Sequence, residues 1–217
     1  MTVIVGVRCS DGIVIGTDSA ATSTAGQIPV LRTDVDKIFL VGDRTIIAGT
    51  GAIGLTQRFH QIVEAAWNSK LFQKDTLTCI RQLAKDARED FQRTQVPFHQ
   101  QGGLQFGVVL GAVFSGAPDL IEFGTYDFQP EIKRGKLFFG SMGSGQPLAD
   151  PFLAFVKRVL WKDQTPTVDA AKIGVYWALS HTIDCAPGYV GHPIALAILR
   201  RAGGNWQASL MGEVTCH

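Results

Sequence analysis

Thr2 draws attention first. Removal of Met1 is expected when the next side chain is as small as threonine, and it leaves Thr2 at the N-terminus with a hydroxyl and a free amine on one residue. An α-amino group titrates near about 7.7–8.0, so it can take the hydroxyl proton at working pH without a histidine. Asp18 ends the returning strand of a first hairpin beside the start of the chain, and Lys37 begins the third strand. Together, an aspartate and a lysine hold an ammonium beside the Thr2 hydroxyl and lower its proton affinity through charge. Singly, each has a plain reading: many chains begin Met-Thr, and most Asp and Lys side chains are solvated surface. In combination they support a hydroxyl nucleophile with the amine as its base.

A second pattern is Gly49-Thr50-Gly51-Ala52-Ile53-Gly54, a GxGxxG after a strand and opening a helix. A dinucleotide site needs a following strand ending in an acidic residue about 20 positions on. Asp75 has that spacing, but Gln61 to Lys74 is helical in pattern and the glycines sit on a fourth strand. The motif therefore reads as a tight strand-to-helix turn whose backbone approaches something closely. His181 and Cys185, four apart on a helix, make two metal ligands without a third, so a buried cysteine is expected and no metal. Cys9, Cys79, Cys185 and Cys216 are scattered with no CxxC pair, which suggests reduced thiols. Lys157-Arg158 and Arg200-Arg201 read as surface charge.

These residues must be held by a fold. The 217 residues are 46% hydrophobic and 18% charged with net charge +1, which excludes a disordered chain and gives no basic face for nucleic acid or anionic lipid. No apolar run of 18 residues and no basic-then-apolar N-terminus occur, so no membrane span or signal peptide is expected, and the location expected is cytoplasmic. Thr2 to Val7 and Ile13 to Gly16 flank Asp11-Gly12 as a hairpin. Ala20 to Asp36 is less regular, and Lys37 to Val41 with Arg44 to Ala48 forms a second hairpin.

Apolar residues from Ala52 to Gln73 recur at helical spacing, and Asp75 caps a second run to about Gln95. Gly102–Phe114, Leu120–Tyr126 and Ile132–Phe139 read as strands. Leu148–Trp161 and Val168–Ile183 read as helices, and Pro193–Leu199 with Trp206–Met211 as a closing hairpin. Trp67, Trp161 and Trp177 read as packing residues on their helices. The order ββββ, αα, βββ, αα, ββ predicts an α+β, four-layer αββα sandwich with residues 1–217 as one domain.

The segments Thr2–Val7, Asp11–Asp18, Asp36–Phe39, Ile46–Gly49, Gly143-Ser144-Gly145 and Asp184, in that order, resemble proteasome β-type subunits, including the bacterial stand-alone homologues and HslV-like peptidases. The resemblance implies the N-terminal nucleophile hydrolase fold and a threonine peptidase working in a self-compartmentalising ring or double ring. It implies polypeptide substrates, an AAA+ unfoldase partner and no cofactor. By position, Thr2 resembles the nucleophile, Asp18 and Lys37 its activating pair, Ser144 and Asp184 the groups around the amine, and Gly49 the glycine whose N–H serves the oxyanion. Ala21, Val35 and Ile47 resemble the side-chain pocket, and their apolar character implies cleavage after hydrophobic residues. Three departures stand out. Pro187 replaces the serine of the family's Asp-x-x-Ser-Gly, and Ser19-Ala20 replaces a basic pair. Three extra residues lengthen the loop before Lys37. No propeptide precedes Thr2, so Met1 removal alone is expected to mature the chain. A small-amide N-terminal nucleophile amidase and a catalytically weak scaffold ring remain as alternatives.

Overall fold

A computed structural model describes residues 2–25, 28–93, 106–188 and 190–211, without the side chains of 22–32. Strands β1 (Val3–Arg8) and β2 (Gly12–Asp18) form the opening hairpin. They join β10 (Phe139–Gly143), β11 (Ile194–Ala202) and β12 (Asn205–Met211) in an antiparallel sheet of order β10-β1-β2-β11-β12. A second sheet runs β5 (Ile38–Val41), β6 (Thr45–Gly51), β7 (Phe106–Phe114), β8 (Ala117–Phe123), β9 (Pro130–Lys133).

Side-chain alternation makes the layers. Val3, Val5, Val7 and Val14 join one core with the helices α3 (Gln146–Val159) and α4 (Val168–Cys185). Ile4, Ile13, Ile15, Ile46 and Ala48 point the other way and fill the space between the sheets. Beyond the second sheet, Ile47, Val108 and Leu110 pack with α1 (Ile53–Asn68) and α2 (Thr76–Arg93). Both faces of each sheet are covered, so the central strands read as continuous apolar runs. Three cores between four layers give the αββα sandwich. Asp75 caps α2 as its sequence position implies, Oδ1 accepting the Thr78 N–H at 3.0 Å.

Four expectations need correction. The stretch from Ala20 to Asp36 contains its own hairpin, β3 (Ala20–Ala25) and β4 (Ile28–Asp34), paired only with each other among the described residues. The strand expected over Ile132–Phe139 is two strands, β9 and β10, in different sheets. The turn at Arg134-Gly135, with Gly135 at φ 62°, carries the chain across. Trp177 is not a core residue: it is 49% exposed on the outer side of α4, whereas Trp161 is buried just beyond the end of α3. Cys185 is exposed, not buried, with its Sγ 3.8 Å from the His181 ring nitrogens. Residues 94–95, 102–105 and Cys216 lie outside the described residues.

Candidate active site

One end of the sandwich collects the start of β1, the ends of β2, β6 and β10, and Lys37 just before β5. Asp18 closes β2 and is fully buried. Its Oδ1 accepts the Val3 N–H at 2.9 Å and Lys37 Nζ at 2.7 Å. Its Oδ2 accepts the N–H groups of Ala20 and Gly191, both at 3.2 Å. Lys37, 7% exposed, also donates to the Ala20 carbonyl at 2.7 Å. A buried carboxylate is tolerable only with such partners. Here they tie the residue after Thr2, the start of β3, the loop after α4 and the second sheet to one carboxylate.

Thr2 is 6% exposed. Its backbone N–H donates to Ser144 Oγ at 3.0 Å, and Ser144 Oγ donates back to the Thr2 carbonyl at 3.3 Å. The Gly145 N–H reaches the same carbonyl at 3.2 Å. Gly143 makes this fit possible. Its φ is 98°, and a Cβ there would sit 2.2 Å from the Thr2 carbonyl oxygen. With Met1 gone, the Thr2 nitrogen is an amine with a hydroxyl partner already in place.

The cleft beside Thr2 has a volume of about 320 Å³. Thr2, Lys37 and Gly49 form one side of it, and Ala21, Val35, Phe39 and Ile53 its apolar walls, with Thr56 and Gln57 from α1. Gly49 lies against α1 so closely that a Cβ would come within 2.5 Å of the Thr56 hydroxyl. The Gly49 N–H makes a long bond of 3.4 Å to the Lys37 carbonyl, the last rung between β5 and β6. A bond this long is readily exchanged for a better acceptor.

Among the residues singled out from the sequence, the structure brings Thr2, Asp18, Lys37, Ser144, Gly49, Ala21 and Val35 to one place. Two it does not. Ile47 is fully buried in the core beneath α1 and does not line the cleft, because the two-residue alternation of β6 turns it into that layer. Asp184 is exposed near the end of α4 and, among the described residues, makes no hydrogen bond or ion pair. Sequence reasoning missed Phe39, Ile53, Thr56 and Gln57. Phe39 was within reach of it, since a strand places residues 37 and 39 on one side. The GxGxxG segment opens no nucleotide fold: β6 lies in an antiparallel sheet, and α1 leads to α2 rather than to a parallel strand.

Two antiparallel sheets between helix pairs, with a threonine at the head of the first strand, define the N-terminal nucleophile hydrolase architecture. The chain belongs to the proteasome subunit family, whose model matches residues 2–163. Among solved structures it is similar to Anbu from Hyphomicrobium sp. strain MC1, with TM-score 0.69, 15% identity, and coverage of 96% of this chain and 86% of that one. It is also similar to the Anbu complex from Pseudomonas aeruginosa, described as a helical assembly, with TM-score 0.73, 16% identity, and coverage of 98% and 88%. At such identities the likeness concerns the fold. No curated protein sequence matches the chain.

Proposed function

We propose that the chain is a threonine-type endopeptidase subunit that uses Thr2 as nucleophile once Met1 has been removed. The observation that carries this reading is the Thr2 nitrogen held by Ser144 at 3.0 Å, one residue from the buried Asp18–Lys37 pair. The amine takes the proton of Thr2 Oγ, which attacks the peptide carbonyl carbon. The developing oxyanion takes the Gly49 N–H in exchange for its long bond to Lys37. The C–N bond breaks, the amine proton passes to the departing nitrogen, and the peptide's acyl half stays on Thr2 as an ester. Water then attacks the ester carbon, its proton goes to the same amine, and Thr2 Oγ is released with a proton.

The apolar walls of the cleft suit a hydrophobic side chain before the cut. A compartment formed by copies of this chain, in a ring or double ring, would exclude folded proteins and so require an AAA+ unfoldase, and it would work in the cytoplasm as a single β-type domain per subunit. The exposed Asp184 favours one rival, a scaffold ring with weak turnover. Hydrolysis of a fluorogenic peptide ending in an apolar residue separates the two. Loss of activity in Thr2→Ala supports the peptidase, and equal rates in the two proteins support the scaffold.

A further inference from the structure

Strand β6 turns Gly49 towards α1 and Thr50 to the opposite face, the face of Ile46 and Ala48 in the space between the sheets. Thr2 stands two residues before Ile4, whose side chain fills that same space. Gly143 brings the two threonines together. The point where its Cβ would stand is 2.2 Å from the Thr2 carbonyl oxygen and 3.1 Å from Thr50 Oγ1, so the two oxygens are within reach of one bridging water. Thr50 is 8% exposed. Among the described residues its hydroxyl makes no hydrogen bond and is not fully enclosed, so a water can reach it. Neighbours of this kind serve a substrate or a water.

Resting on the reading of Thr2 as nucleophile, we propose that Thr50 is a positioning residue for the hydrolytic water. It holds that water from the second sheet while Ser144 holds the amine from the first. In the step concerned, the water oxygen bonds to the ester carbon, its proton passes to the Thr2 amine, and the bond from that carbon to Thr2 Oγ breaks. Thr2 Oγ then takes the proton back, and the peptide acid leaves. Thr50 contributes a hydrogen bond to the water and exchanges no proton with it. The first half of the reaction, attack by Thr2 Oγ, needs no water and is indifferent to Thr50.

That asymmetry supplies the test. Thr50→Val and Thr50→Ser are compared with the unaltered protein in two reactions. One is adduct formation with a peptide epoxyketone, which uses the hydroxyl and amine of Thr2 but no water. The other is turnover of the p-nitrophenyl ester of an N-acylated leucine, in which an initial release of p-nitrophenolate reports attack and the later steady rate reports hydrolysis. Thr50→Val is expected to keep the adduct rate and the initial release within about twofold. Its steady rate should fall about tenfold, the worth of one hydrogen bond, and Thr50→Ser should restore it. A steady rate unchanged in Thr50→Val overturns the proposal. So does a parallel fall of adduct formation and turnover, which marks a merely structural role. If the unaltered protein forms no adduct at Thr2, the nucleophile reading fails first and this proposal with it, and that result needs no variant.

Discussion

Lys37 and Asp18 form a buried pair, yet their removal should not be equivalent. Lys37→Met takes one of four hydrogen bonds from the Asp18 carboxylate and leaves the N–H groups of Val3, Ala20 and Gly191 in place. Breaking a buried pair costs about 3–5 kcal/mol. The three remaining donors place Lys37→Met at the lower end, about 3 kcal/mol. Asp18→Ala removes the counter-charge of the Lys37 ammonium, which keeps its bond to the Ala20 carbonyl, and orphans three backbone N–H groups, each at a cost of about 1–3 kcal/mol. A loss of about 5 kcal/mol or more follows, and many preparations of this variant should fail to fold. Urea unfolding followed by tryptophan fluorescence, at one fixed protein concentration because self-association shifts apparent stability, measures both. Asp18→Asn should fall between them, since the amide retains one acceptor oxygen. Lys37→Met as costly as Asp18→Ala, or costlier, would refute the view that the backbone donors carry most of the carboxylate's stabilisation.

Three further outcomes follow from the cleft and the helices. Phe39→Ala should raise kcat/KM for substrates with a tryptophan before the cut by about tenfold relative to leucine, while Ile47→Ala should leave that preference unchanged and lose about 2–4 kcal/mol of stability. A fluorogenic peptide panel and urea melts distinguish the two. Under native conditions at pH 8, iodoacetamide should modify exposed Cys185 and spare Cys9 and Cys79 until the protein is unfolded. Burial pushes the Cys79 thiol up to about 12, and burial followed by the nearby Asp11 charge raises that of Cys9; peptide mapping reads the sites. The Asp75 carboxyl is held below its usual range by the Thr78 hydroxyl and then by the Thr78 N–H. Its folded value lies below its unfolded one, so the stabilisation is present above the unfolded value near 3.8 and is lost as pH falls through the folded value. Asp75→Ala should therefore lower Tm at pH 7, by a margin that narrows as pH drops below about 5.

Much of this arrangement was legible in the chain because local signals and global layering agree. Asp11-Gly12 between β-branched runs fixed the hairpin that returns Asp18 to Thr2, and paired helical segments between strand runs required two outer layers. The hairpin β3–β4 was less legible because its strands pair with each other only, among the described residues, and so lack the apolar alternation that marks a strand covering a core. Ile47 shows the opposite failure. An apolar residue close to Gly49 suits a pocket by type, but strand alternation commits it to the core shared with α1. Ile53, Thr56 and Gln57 reach the cleft only through the angle at which α1 leaves β6, and a tertiary angle leaves no mark in sequence spacing. Thr50 sits inside a motif whose glycines attract notice, and its role emerges only when the second sheet lies beneath Gly143.

The most direct test of Thr2 as an activated nucleophile is intact mass spectrometry of the purified protein before and after incubation with a peptide epoxyketone, followed by peptide mapping. The expected result is a mass lacking Met1 and one adduct per chain, located on the hydroxyl and amine of Thr2. A chain that lacks Met1 and still forms no adduct at Thr2 would contradict it.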